Sequence, residues 1–154
     1  MEVLDTPGHT MSHVCLLWRD GAGGKFFSGD TLFNAGAGNC HHGGHPEALY
    51  DTFAQVLSRL GDAVELFPGH DYLDRNLAFT LDREPGNGDA QRLLDRQEPE
   101  AEPEVLCMGE ERKVNVFLRL DRREVRSRLS TAAGRRPESD RECFLALRAL
   151  RNRW

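Results

Sequence analysis

Val64-Glu65-Leu66-Phe67-Pro68-Gly69-His70-Asp71-Tyr72 reads as a short apolar strand that stops at Pro68-Gly69 and sets a histidine at its end. Beyond it the period changes. Leu73, Leu77, Ala78 and Leu81 recur at helical spacing, so a helix is expected from about Asp71 to Arg83. Strand, tight turn and helix in that order build an α/β chain. Two more segments use the same device. Lys25-Phe26-Phe27-Ser28 is a strand running into Gly29-Asp30-Thr31-Leu32-Phe33, and Thr6-Pro7-Gly8-His9-Thr10 holds His9 in a turn. A glycine beside each of His9, Asp30 and His70 lets the backbone bend sharply and bring the three side chains together.

Outward from these segments the elements follow in order. Val14-Cys15-Leu16-Leu17-Trp18 is a continuous apolar run, as in a buried strand, and Gly21–Gly24 turns it back onto Lys25–Ser28 as a hairpin. Asn34–Gly44 is a loop. A helix follows with Pro46 in its first turn and Leu49, Phe53, Val56, Leu57 and Leu60 on one face, and Gly61 stops it. Glu84-Pro85-Gly86-Asn87 breaks the next helix, and Ala90–Arg96 is expected to be helical. Glu98–Glu104, with Pro99 and Pro103 among four glutamates, reads as a linker. The expected division is therefore residues 1–97, a linker at 98–110, and residues 111–154. Val114–Leu120 alternates apolar and polar residues and is expected to be extended or a strand. Asp121–Leu129 and Ser139–Arg153 are expected helices, the second with a Ser139–Glu142 capping box and Phe144, Leu145, Leu147 and Leu150 as its apolar stripe.

A chain of 154 residues with 39% hydrophobic and 29% charged content fits one domain, or one medium domain with a small appendage. No apolar run is long enough to span a membrane. Met1 is followed by Glu2 and Asp5, with no basic region and no apolar core, so no secretory signal is expected. Cys15, Cys40, Cys107 and Cys143 form no C-x-x-C pair and read as free thiols of a reducing cytosol, which makes the expected location cytoplasmic. Residues 1–110 hold 7 Lys/Arg against 19 Asp/Glu, a net −12, and residues 111–154 hold 13 against 6, a net +7. The basic tail either pairs with the acidic body or meets an anionic partner. It lacks interleaved aromatics, so nucleic acid is not an expected partner.

A metal that activates water needs fixed ligands and an open coordination position. Imidazole and carboxylate suit zinc, iron or manganese alike. Three such groups at the ends of successive strands converge at one sheet edge, which scattered ligands do not.

The pattern T-P-G-H-T, S-G-D-T-L-F, F-P-G-H-D-Y and N-L-x-F resembles the metallo-β-lactamase superfamily, and within it type II glyoxalase, that is, hydroxyacylglutathione hydrolase. The likeness continues through Glu84–Asn87, Val114–Arg119 and Arg148-Ala149-Leu150-Arg151, so it covers essentially the whole chain. It implies part of an α/β, four-layer αββα sandwich with a small helical substrate-binding domain. It implies two divalent metals, with zinc favoured and iron or manganese open: His9 on the first, His70 on the second, Asp30 bridging. It implies a metal-held water that hydrolyses a glutathione thioester of the S-lactoylglutathione type, the step that completes methylglyoxal detoxification. By the same likeness Tyr72 and Arg151 are substrate-binding residues.

The sequence departs from that pattern in three ways. No Thr-His-x-His-x-Asp-His is present, so each metal would keep two protein ligands here and binding by this chain alone is expected to be weak. His41-His42-Gly43-Gly44-His45 has the wrong spacing and is read as a polar loop beside the pocket, and His13 is not assigned to metal. Asn39 and His41 stand where the family has a Lys and a Tyr that bind glutathione, and Trp154 where a Lys is usual. The resemblance covers the second half of a two-half sandwich, so an apolar sheet face is expected to lie bare and to favour self-association. Two alternatives are an iron persulfide dioxygenase of the same superfamily and a non-catalytic fragment with a basic interaction tail.

Overall fold

The computed structural model describes residues 1–21, 23–98 and 103–154. A four-stranded sheet has the order β1(Glu2–Asp5)-β2(Val14–Asp20)-β3(Gly23–Gly29)-β6(Val64–Pro68), and a two-residue pair, β4(Leu32–Phe33) and β5(Gly36–Ala37), follows β3. β1 and β3 run antiparallel to β2, with Val3 opposite Leu16 and Leu16 opposite Phe27, while β6 runs parallel to β3 with Phe67 beside Phe27. The expected hairpin is present; Ala22 in its turn lies outside the described residues. The parallel β3–β6 pair needs a crossover, which α1(Pro46–Gln55) and the 3₁₀ turn Leu57–Arg59 supply.

One face of the sheet is the core. Cys15, Leu17, Phe26, Val64 and Leu66 pack against Leu49 and Phe53 of the crossover and against Phe117, Phe144 and Leu147 from the C-terminal region. Phe144, on α6(Asp140–Arg151), meets Phe53 at 5.1 Å and Phe117 at 5.3 Å between ring centroids, both edge-on. A second cluster joins α2(Leu73–Arg83), α3(Gly88–Asp95) and α4(Met108–Val114) through Leu73, Leu77, Ala90, Leu93, Leu106 and Val114. The other sheet face lies bare as the sequence leads one to expect: Val3 is 65%, Trp18 49% and Phe27 38% exposed.

Five local expectations are corrected. Val114–Leu120 is not a strand: Val114 ends α4 and Val116–Leu118 is a 3₁₀ turn. The cause is Asn115, whose side-chain oxygen accepts from Phe117 N at 3.1 Å while its amide donates to Gly36 O and Glu111 Oε2. A buried side chain that bonds the backbone locally turns the chain where alternation alone points to a strand.

The second concerns the linker. Residues 99–102 of the stretch read as a linker lie outside the described residues, but its last part is packed. Leu106 and Met108 are fully buried, Leu66 N donates to Leu106 O at 2.8 Å, and Cys107 bridges Glu65, so this segment covers the edge of β6. The third and fourth concern helix faces. The inward face of α2 is carried by Leu73, Asn76, Leu77, Phe79 and Thr80, with Ala78 half-buried, and that of α6 by Cys143, Phe144, Ala146, Leu147 and Arg148, with Leu145 half-buried. The expected cap of α6 is present on one side: Ser139 Oγ accepts from Glu142 N at 3.1 Å. The helix expected over 121–129 is shorter, α5(Arg123–Ser127).

Candidate metal and substrate site

The site is built where β3 and β6, lying parallel, end side by side. β3 ends at Gly29, whose φ of +50° lies in the left-handed region that glycine adopts without strain. Gly69 N donates to Gly29 O at 2.9 Å, so Asp30 and His70 leave their strands together. His9 arrives from the turn between β1 and β2. Gly38 comes so close behind Asp30 that an added Cβ would lie 1.8 Å from the Asp30 carbonyl oxygen, a clash that only glycine avoids.

Asp30 stands between the two histidines. Its Oδ1 lies 2.8 Å from His70 Nδ1 and its Oδ2 3.5 Å from His9 Nε2. His9 Nδ1 lies 2.7 Å from Asn39 O, a carbonyl that can only accept, so Nδ1 carries a proton and Nε2 is the ring nitrogen turned toward the carboxylate. His13 lies behind Asp30 and sets its backbone. Asp30 N donates to His13 Nε2 at 3.3 Å, and His13 Nδ1 lies 3.0 Å from Thr31 Oγ1 and 3.1 Å from Thr6 Oγ1. Burial pushes the His13 imidazole below its ordinary value, His9 adds to this and Asp30 opposes it, in keeping with a neutral ring that accepts from Asp30.

In kind and direction these donors fit divalent metals: two imidazoles and a carboxylate with one oxygen toward each. In number they fall short. Among the described residues no group of three or more His, Cys, Asp or Glu side chains is placed to hold a metal ion. His42 comes within 6.3 Å of His9 between ring centroids without joining such a group, and His41 and His45 do not join one either.

Beside the trio lies a polar cavity of about 320 Å³. Tyr72, Arg151, Asn39 and His41, singled out in the sequence, all line it, together with Arg75 and Arg148, which were not. Tyr72 stacks on His70, with ring centroids 5.5 Å apart and planes 11° apart, and meets Phe33 edge-on at 5.2 Å. Arg148 donates to Ala37 O at 2.7 Å and Gly38 O at 2.9 Å; Arg151 donates to Asn76 Oδ1 at 3.1 Å. Arg75 donates to Trp154 O at 3.1 Å. Among the described residues none of these three guanidinium groups pairs with an Asp or Glu side chain. Burial pushes Arg148 down to about 10, with the nearby Arg151 charge adding to the effect. Burial, then the charge of Arg75, lowers Arg151 as well. Together the three make a basic wall, although Arg148 is buried and spent on the Ala37 and Gly38 carbonyls and on Asn152 Oδ1, and Arg75 on the terminal carboxylate of Trp154. A signal for the two missed arginines existed: Arg148 lies three residues before Arg151 and Arg75 three after Tyr72, spacings that share a helix face.

Comparison with known proteins follows this geometry. The chain is 46% identical over 159 residues to the hydroxyacylglutathione hydrolase of Nitrosococcus oceani, covering 100% of this chain and 60% of that protein. It thus spans about three-fifths of the length of that relative. ETHE1 from Myxococcus xanthus is similar in structure at a TM-score of 0.55 and 24% identity, over 97% of this chain and 45% of that one. A metallo-beta-lactamase from Staphylococcus aureus is similar at a TM-score of 0.51 and 22% identity, over 76% of this chain and 29% of that one. Likeness at that identity establishes the fold alone. Residues 71–154, more than half of the chain, match the family described as hydroxyacylglutathione hydrolase C-terminus. Tyr72, Arg75, Arg148 and Arg151 fall within that match, and the chain belongs to this family, carried on a metallo-β-lactamase-type fold.

Proposed function

We propose that the chain contributes to metal-dependent hydrolysis of a glutathione thioester of the S-lactoylglutathione type, giving glutathione and a hydroxy acid. The observation that carries this reading is Asp30 between His9 and His70 with one carboxylate oxygen toward each. His9 and His70 would each help hold a different divalent metal, zinc being our preferred ion, and Asp30 would be shared between the two. Each metal needs further protein ligands beyond these three side chains, since catalytic zinc is commonly held by three. When bound, such metals supply a nucleophilic water at neutral pH and polarise a carbonyl oxygen. The chain's own residues hold and orient the substrate. Arg75 and Arg151, with the buried Arg148 adding its charge behind them, face the anionic carboxylates of a glutathione moiety, and Tyr72, stacked on His70, places the thiol carrier beside the trio. Water adds to the thioester carbon, the C–S bond breaks, and the thiolate takes up a proton. A cytoplasmic setting suits a reaction whose product is a free thiol.

The chain alone is expected to hydrolyse S-lactoylglutathione weakly or not at all. A version extended upstream by a Thr-His-x-His-x-Asp-His segment is expected to be active and to lose at least a hundredfold in kcat on Asp30→Ala, an effect of the size of other metal and electrostatic contributions. Stoichiometric metal binding by the extended protein with the thioester left intact would sink the assignment.

We further infer that the bare sheet face drives the isolated chain to associate with itself, through Val3, Trp18 and Phe27. Sedimentation velocity should show a concentration-dependent larger species, and Trp18→Lys with Phe27→Lys should return it to monomer. Equal association by parent and variant would place the contact elsewhere.

A further inference from the structure

The helix α6 divides two cavities. Arg148, Arg151 and Asn152 face the polar one already described. The opposite side of the helix, with Leu145, Ala149, Leu150 and Arg153, faces a second, half-open cavity of about 560 Å³, bordered by the segment Ser130–Ala133. Its size falls in the range of small-molecule pockets, roughly 300–1,000 Å³. Small side chains make the space: Ala132 and Ala133 stand opposite Ala146 and Ala149.

The lining is mostly apolar, and the few polar groups differ in how far they are satisfied. Arg135 is held by Glu138 at 2.9 Å and by Glu142, so the single carboxylate of the lining already has its counter-charge. Arg153 makes no side-chain ion pair or hydrogen bond among the described residues. Thr131 Oγ1 is buried without a hydrogen-bond partner among the described residues. One free cation, one unsatisfied hydroxyl and an apolar floor define a narrow class of occupant. A dianion would find one unpaired charge too few, a metal ion finds no ligand cluster, and a polar sugar would leave its hydroxyls facing alanine and leucine.

We propose that this second cavity binds a small amphiphilic monocarboxylate, its head on Arg153 and its tail along Leu145, Ala149 and Leu150. The site is separate from the trio and from the arginine wall, although the same helix carries both. It does not depend on the thioester reading above.

The test is titration of the full 154-residue chain with sodium octanoate, followed by backbone amide NMR and by calorimetry, with octan-1-ol as the uncharged comparison. Saturable binding is expected, with shifts concentrated at residues 130–135 and 145–153. Arg153→Gln should weaken octanoate about tenfold, the loss of one charge-assisted hydrogen bond, and leave octanol unchanged. Ala149 is exposed, so Ala149→Trp should fill the cavity without disturbing the core and abolish binding of both probes. Arg153 has no side-chain partner to lose, so its variant remains informative if the tryptophan variant misfolds. Equal affinity for octanoate and octanol, shifts centred on Trp18 and Phe27 or on the polar cavity, or binding unaffected by both substitutions would each overturn the proposal.

Discussion

Glu84→Ala is expected to cost the chain about 3–5 kcal/mol, the range for breaking a buried ion pair from one side. Glu84 and Arg119 form a two-pronged pair, Oε2 to Nε at 2.6 Å and Oε1 to Nη2 at 2.8 Å, with side chains 7% and 14% exposed. The pairing holds the Arg119 guanidinium above its ordinary value. Glu84 Oε2 also accepts from Asn87 Nδ2, and Asn87 Oδ1 in turn caps α3 through Ala90 N at 2.9 Å. Truncation therefore strands a half-buried cation and loosens the helix cap together. Against a total stability of roughly 5–15 kcal/mol, such a loss removes much of the folded margin. Urea unfolding at neutral pH measures it, and the Glu84→Leu/Arg119→Met double variant should recover most of the loss. A cost below about 1 kcal/mol, typical of an exposed pair, would show that the contact contributes little.

The second large effect concerns pH. Glu111 is fully buried, and burial pushes its carboxyl up to about 8 against the pull of hydrogen bonds from Asn115 and Ala35. Ala35 N lies 3.1 and 3.0 Å from the two oxygens, and among the described residues Ala35 is the non-glycine residue with a positive φ, +55°. The carboxyl thus holds a strained turn between β4 and β5, which flank the polar cavity through Phe33 and Ala37. The sign follows from proton counts. Between the unfolded value of 4.5 and the folded value of about 8, the unfolded chain has released the proton that the folded chain retains. Raising pH through this window therefore lowers stability, by an amount of order 5 kcal/mol when each unit is about 1.4 kcal/mol. The contribution is fully present below the lower value and lost as pH passes the upper one.

Glu111→Gln removes that titration. Its amide oxygen can still accept from Asn115 and Ala35, but its NH2 replaces the other acceptor oxygen, at a roughly constant cost of about 1 kcal/mol. Chemical unfolding of parent and variant at pH 5, 6, 7 and 8 should show the variant gaining on the parent at each step. Parallel profiles would show that Glu111 is ionised throughout.

Local features were legible. The strand before His70, the hairpin over β2 and β3, the Pro46 helix and the Ser139 cap each follow from periodicity or from a residue whose φ or side chain has few options. The trio was legible too, because each member follows or precedes a glycine at a strand end. Val114–Leu120 was misread for a definite reason. Its alternation matches a strand, but Asn115 has partners in Gly36 and Glu111 that cannot be seen from the segment itself. Likewise the acidic, proline-containing stretch before residue 105 suits a linker, yet Leu106 and Met108 are drawn in by the open edge of β6 and the core behind it.

By itself the sequence determined the α/β class, the three potential metal-binding side chains and the charge division between body and tail. These depend on neighbours within a few positions, where backbone geometry dictates which side chains share a face. Tertiary structure alone decided that Asp30 offers one oxygen to each histidine, that Arg75 joins Arg148 and Arg151 on one wall, and that Glu84 meets Arg119 across 35 positions. Such convergence is set by how whole elements pack. A shift of an ångström in a helix axis moves every contact it makes, and no local pattern records that shift.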